Sequence, residues 1–221
     1  MSRILLEEAD VLDYVEESIS GVMFSSIEVV DDKFHHNTRY EDTASILENG
    51  LLSGKEQNKI GLVSDDQLEL FSDIESHVNG SESISLAVVG LTDLYPDEME
   101  YDPFSEKHVD ILISGDVKAR RNSTNYGNEY LVDDHISSDM FRAIDTRLLS
   151  FIASIRTGKG EHYDDAVNQI RHNYNRLREI AMLIYDMSLD IPIREMSSNN
   201  GEGLDIKRLS NMPKVKVMRK S

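Results

Sequence analysis

Three short stretches carry side chains able to do chemistry. The first is His36-Asn37-Thr38, near the end of the run KFHHNTRY. The second is Ser83-Ile84-Ser85, which opens SISLAVVGL. The third is Asn125-Tyr126-Gly127-Asn128-Glu129-Tyr130-Leu131-Val132, where one acid begins an apolar strand. Between them they offer an imidazole, hydroxyls, amides and a single carboxylate, the groups of hydrogen-bonding and acid–base chemistry. Taken singly, each has an ordinary explanation. A histidine at a strand end is more often structural, and Ser-x-Ser is more often a solvated face. A glutamate opening a strand is more often a surface charge in a weak ion pair.

Other chemistries are poorly served. The chain has no cysteine, so thiolate nucleophiles, disulfides and Cys-type zinc sites are excluded. His77, His108, His135, His162 and His172 show no metal spacing; the last two lie ten residues apart on one expected helix, not four. His35 falls on the opposite face from His36 if the stretch is a strand. The acids of Asp93–Asp102 lack the alternation and central glycine of a calcium loop. Gly158-Lys159-Gly160 lacks the strand before it and the Lys-Ser/Thr ending of a phosphate loop. No metal site is expected.

The elements that must position these residues follow from periodicity. Apolar residues from Ile4 to Ile19 predict a leading amphipathic helix. VMFSSIEVV and KFHHNTRY read as strands, and the stretch from Asp42 to Asn49 reads as a short helix capped by Asp42 or Thr43 and stopped by Gly50. Residues 53–82 read as a mobile connection with a short helix near Asp65–His77. SISLAVVGL, HVDILIS and YGNEYLV are further strands, and Pro96 and Pro103 break the acidic loop between the first two. SSDMFRAIDTRLLSFIASIR reads as a helix capped by Ser138 or Asp139. A longer helix follows with Val167, Ile170, Tyr174, Leu177, Ala181 and Ile184 along one seam. These two helices are expected to form an antiparallel hairpin, followed by a mobile basic tail. The sum is an α+β chain: a core over residues 1–137 and a helical hairpin plus tail over 138–221.

Order and spacing say more than any stretch alone. His36-Asn37-Thr38, then Ile46-Leu47-Glu48-Asn49-Gly50-Leu51, then Ser83-Ile84-Ser85, then Asn128-Glu129-Tyr130-Leu131-Val132 together resemble the ADP-ribosyltransferase superfamily. The closing YGNEYLVDDHIS is similar to that of DarT-like members. The resemblance spans about residues 25–137 and leaves out the C-terminal third. It implies a split, mixed or antiparallel sheet with NAD, as co-substrate, bound in the cleft. Breaking the nicotinamide–ribose bond creates an oxocarbenium-like centre, as glycoside hydrolysis does. By the resemblance, Glu129 is the catalytic acid that holds the ribose and stabilises that charge, and His36 bonds the adenine-side ribose. Asn37, Thr38, Ser83 and Ser85 would line the NAD site, with Tyr40 or Tyr126 stacking on nicotinamide. Gly127 stands where arginine-directed members carry Gln or Glu, which leaves the acceptor open.

Charge bears on partners. Residues 1–138 hold 30 acids and 9 bases, and residues 139–221 hold 11 and 14, which sum to the net −18. An acidic body favours a basic protein acceptor over nucleic acid, unless the C-terminal third supplies a groove. The resulting expectation is a cytoplasmic mono-ADP-ribosyltransferase of bacterial or phage effector or toxin type. It would modify a protein or nucleic-acid acceptor, and an antitoxin or other inhibitor could partner the C-terminal third. No apolar run reaches the roughly 18 residues of a membrane span, and the acidic N-terminus does not read as a signal peptide. Two rivals stand beside this. One is an RNA 2′-phosphotransferase-like enzyme, with Arg39, Arg120 and Arg121 as phosphate binders. The other is an acidic, non-catalytic binding module or nucleic-acid mimic.

Overall fold

A computed structural model describes residues 5–7, 10–21, 25–26, 32–64, 66–67, 82–88, 109–122, 129–133, 135–149, 152, 163–195 and 202–218. Among the described residues there are thirteen strands: β1 (Leu5–Glu7), β2 (Ser25–Ser26), β3 (Asp32–Thr38), β4 (Leu51–Leu52), β5 (Ser83–Val88), β6 (Val109–Ser114), β7 (Arg120–Arg121), β8 (Glu129–Asp133), β9 (His135–Ile136), β10 (Phe141–Thr146), β11 (Ile193–Glu195), β12 (Glu202–Leu204) and β13 (Lys216–Met218). The helices are α1 (Val11–Ser20), α2 (Tyr40–Asn49), α3 (Gly54–Lys59), α4 (Tyr163–Asp186) and α5 (Ile206–Asn211). The architecture is α+β with a mixed, mostly antiparallel sheet.

Nine strands form one sheet in the order β2-β12-β11-β10-β6-β3-β5-β8-β7. Every pairing in it is antiparallel except β10 with β11. Near its middle lies β6, whose Val109, Ile111, Leu112 and Ile113 are all buried. Apolar residues on both sides of this strand erase the in–out alternation of a one-sided sheet. The small pairs β1–β13, parallel, and β4–β9, antiparallel, stand apart from the main sheet.

The seam on α4 is a buried stripe: Val167, Ile170, Tyr174, Leu177, Ala181 and Ile184 all lie in the core. Among the described elements its helical partners are α1, α2 and α5. Tyr14 of α1 meets Tyr174 edge-on, with ring centroids 6.3 Å apart, a geometry that pairs ring edge with ring face. Between α2 and α4, Glu41 accepts a 2.8 Å bond from His172.

Several expectations give way. The stretch read as a helix from Ser138 is a 3-10 turn, Ser138–Met140, followed by β10. Helix begins only after Thr146, where Leu148 is helical and buried. The helical apolar spacing of the second half had masked a strand that is buried on both faces between β6 and β11. Residues on both sides of position 137 thus share one sheet, because β10, β11 and β12 come from the later segment. Leu5–Glu7 is strand, not helix.

The tail is also ordered through Met218. Asp205 caps α5 through Arg208 N at 3.0 Å. Asn175 of α4 then grips Val215, accepting from its N–H at 3.1 Å and donating to its carbonyl at 3.3 Å. A side-chain amide here replaces a missing backbone partner. The connection after residue 52 begins with α3, capped by Ser53 accepting from Glu56 N. Most of the expected helix at 65–77, most of the strand at 22–30 and the acidic loop at 93–102 lie outside the described residues.

Helix α2 begins at Tyr40, so neither Asp42 nor Thr43 is its cap. Thr43 Oγ1 instead donates back to the Arg39 carbonyl at 2.8 Å, and Asp42 pairs with Arg39 at 2.8 Å. Gly50 does stop the helix, at φ 79° and ψ 179°. That region is essentially open to glycine alone. A Cβ there would also meet the Ile136 carbonyl of β9 at 2.4 Å. Gly50→Ala is therefore expected to lower unfolding free energy by at least about 2 kcal/mol, read as a lower urea midpoint with an unchanged slope.

Candidate functional site

The residues that matter sit on three neighbouring strands, β3, β5 and β8. Antiparallel pairing of β5 with β8 sets Ser85 opposite Leu131 and Ala87 opposite Glu129. Pairing of β3 with β5 sets His35 opposite Ala87. Directly opposed side chains share a sheet face, so His35, Ala87 and Glu129 form one row across the sheet. Ser85, two residues from Ala87, lies on that same face.

Glu129 is gripped from both sides. Ser85 Oγ of β5 donates to Oε1, and Asn122, just past β7, donates from Nδ2 to Oε2 at 2.6 Å. Hydrogen bonds to a carboxylate are among the stronger ones, because the acceptor is charged. Asn122 is placed there by the backbone: its N–H donates to the Glu129 carbonyl at 2.9 Å, extending the β7–β8 ladder by one step.

His36 enters the same chain of bonds from β3. Among the described residues the β3–β5 ladder holds the pairs Phe34–Val88 and His35–Ala87, while β3 stays paired with β6 as far as Thr38. At that departure, His36 Nδ1 donates to the Ser85 carbonyl at 3.0 Å. A carbonyl can only accept, so Nδ1 carries the hydrogen of this bond. His36, Ser85 and Glu129 are thereby linked across three strands.

The remaining candidates are distributed differently. Ser83 Oγ donates to Asp133 at 2.9 Å and accepts from Arg120 at 3.2 Å, in a separate group farther along the same face. Asn37 donates to Asp110 of β6 at 2.9 Å rather than to the Glu129 group. Thr38 is buried opposite Val109. Tyr40 is 2% exposed within the core, so it has no ring face to offer for stacking; its place in the first turn of α2 is dictated by packing. Tyr126 lies outside the described residues. Among the described residues no three His, Asp or Glu side chains are grouped to hold a metal ion.

A second polar group crosses the middle of the sheet. Asp110 of β6 stands opposite Asp145 of β10, which stands opposite Arg194 of β11. Arg194 forks onto Asp145 at 2.5 and 2.7 Å, the planar two-point contact suited to guanidinium and carboxylate. His35 donates to Asp110 at 3.2 Å, and Arg147 lies 3.8 Å from its other oxygen. Burial pushes the Asp110 carboxyl up, but the hydrogen bonds from His35 and Asn37 outweigh it and hold the group below its usual range. Burial also pushes Asp145 up, and although Arg194 opposes this the net shift is upward. The sequence does mark these residues, since Asp110 is the one charge in VDILIS and Asp145 the one acid in FRAIDT. No comparable signal marks Asn122.

A carboxyl held below its ordinary value contributes stability that is present above that value, 3.8, and lost as pH falls through the folded value. Asp110→Asn should therefore lower stability at pH 7 by about 1–2 kcal/mol. It should also narrow the difference between pH 7 and pH 3, as measured by denaturant titration at both. No protein-family model, no curated protein and no solved structure matches the chain.

Proposed function

We propose that this chain is an NAD-dependent mono-ADP-ribosyltransferase, with Glu129 as its catalytic carboxylate and His36 as an NAD-holding residue. The observation that carries the reading is the hydrogen-bonded line from His36 through Ser85 to Glu129 across β3, β5 and β8. It joins residues 93 positions apart in the chain, in the order the family motif requires. The parting of β3 from β5 after His35 also fits a split sheet with a ligand cleft.

In this reading the bond between ribose C1′ and the nicotinamide nitrogen breaks, and nicotinamide leaves with the electron pair. Glu129, oriented from both sides, accepts from the ribose 2′-hydroxyl and stabilises the positive charge on the sugar. A lone pair of the acceptor closes the new bond at C1′, and the acceptor gives up a proton. His36 would hydrogen-bond the other ribose. The acceptor is a macromolecule, and the acidic balance of residues 1–138 favours one with a basic surface. Among the described residues no helix is long and apolar enough to cross a membrane.

The test is nicotinamide release from NAD by the purified chain, with and without lysate. Release should require or be enhanced by lysate. Glu129→Gln should lower kcat by about 1000-fold or more, on the scale of losing a key charge-stabilising group. His36→Ala should act mainly on KM for NAD. Absence of both NAD binding and release in the wild type would refute the proposal and favour an acidic binding module.

A further inference from the structure

Glu129 opens β8, and the end of a strand is where a side chain is least constrained by its own backbone. Two neighbours compensate. Ser85 on β5 takes one carboxylate oxygen, and Asn122 beside β7 takes the other at 2.6 Å. The second contact is a product of register. Arg120 pairs with Leu131 and Arg121 with Tyr130, so the next step brings Asn122 opposite Glu129, and the 2.9 Å backbone bond closes it. Opposed residues share a face, so a short amide at position 122 reaches the carboxylate with little freedom to lose. Position 122 thus couples the end of the β7–β8 hairpin to the orientation of Glu129.

We propose that Asn122 is a positioning residue that fixes the Glu129 carboxylate from the β7 side and so determines its competence toward the ribose. The inference rests on the ADP-ribosyltransferase reading for its consequence in catalysis, but not for its geometry. Asn122 offers the carboxylate an N–H donor. An aspartate of the same shape offers only oxygen, and two ionised carboxylates at that distance repel. Packing and electrostatics therefore make opposite forecasts for the isosteric change. If Asn122 merely fills space, Asn122→Asp is milder than Asn122→Ala; if it holds Glu129, Asn122→Asp is the more damaging.

The experiment uses the full chain with NAD as the probe. kcat and KM for nicotinamide release are measured for the wild type, Asn122→Ala, Asn122→Asp, Glu129→Gln and the double variant Asn122→Ala/Glu129→Gln, with melting temperatures alongside. In parallel, the side-chain carboxylate carbon of Glu129 is observed by NMR, its signal identified by disappearance in Glu129→Gln. The expected result is a fall in kcat of about 10- to 100-fold for Asn122→Ala, the scale of one hydrogen bond to a charged group, with KM within about twofold. Asn122→Asp falls further. Asn122→Ala adds nothing once Glu129 is Gln, and it shifts or broadens the Glu129 signal. An unchanged kcat, an Asn122→Asp no worse than Asn122→Ala, or an unmoved carboxylate signal overturns the proposal. Should the wild type release no nicotinamide, the ADP-ribosyltransferase reading fails, and the carboxylate signal still decides: movement upholds positioning, and its absence overturns it.

Discussion

The backbone ladder between β5 and β8 is the constraint on which the candidate site depends. Five consecutive pairs, from Ser83–Asp133 to Ala87–Glu129, decide which side chains Glu129 can meet. A slip of one residue would turn Glu129 to the opposite face and strand it away from Ser85. The register is in turn held by what lies beneath it. Ile84 and Leu86 of β5 and Val132 of β8 are buried on the face opposite the carboxylate, and Phe34 stacks near Tyr130 with centroids 5.3 Å apart. Apolar burial on one face thus fixes polar geometry on the other.

Two kinds of polar organisation coexist on this sheet. Around Glu129 a hydroxyl, from Ser85, and an amide, from Asn122, donate to the carboxylate and orient it. Around Asp110 and Asp145 the donors include Arg194 and Arg147, and the charges are largely matched. The second arrangement sits at the parallel junction of β10 with β11, where β11 must be joined to strands supplied by distant parts of the chain. Buried ion pairs contribute modestly to net stability but penalise alternatives that leave one member alone. A structural role suits the Asp145–Arg194 fork, while the hydrogen bonds from Ser85 and Asn122 orient the Glu129 carboxylate.

The C-terminal segment shows why composition is a poor guide to layering. A helical hairpin packed on the core and ending in a mobile basic tail was the expectation for it. Instead Asn175 and Arg178 of α4 bind the backbone at Val215 and Met212, and β13 returns to pair with β1. Lys207, Arg208, Lys214 and Lys216 lie outward while the intervening Leu209, Val215 and Val217 are buried. Charge describes a surface, and it does not say whether the backbone underneath is anchored.

Local pattern was sufficient for much of this molecule. The sequence by itself determined α4 and its buried stripe, because a 3–4 apolar repeat over about five turns has no competing strand solution. It determined the strands around His36, Ser83, Asp110 and Glu129, and the stop at Gly50, whose backbone angles only glycine adopts readily. The order and spacing of its motifs also nominated His36, Ser85 and Glu129 together, without their geometry. Only the tertiary structure decided that these three join in one hydrogen-bonded line, that Asn122 completes the hold on Glu129, and that Tyr40 is core. It alone revealed β10 as a strand, since a strand buried on both faces has no period of two to read. The physical reason is common to all of these. Long-range register is set by the summed fit of many buried side chains and backbone bonds, and no local stretch of sequence contains that sum.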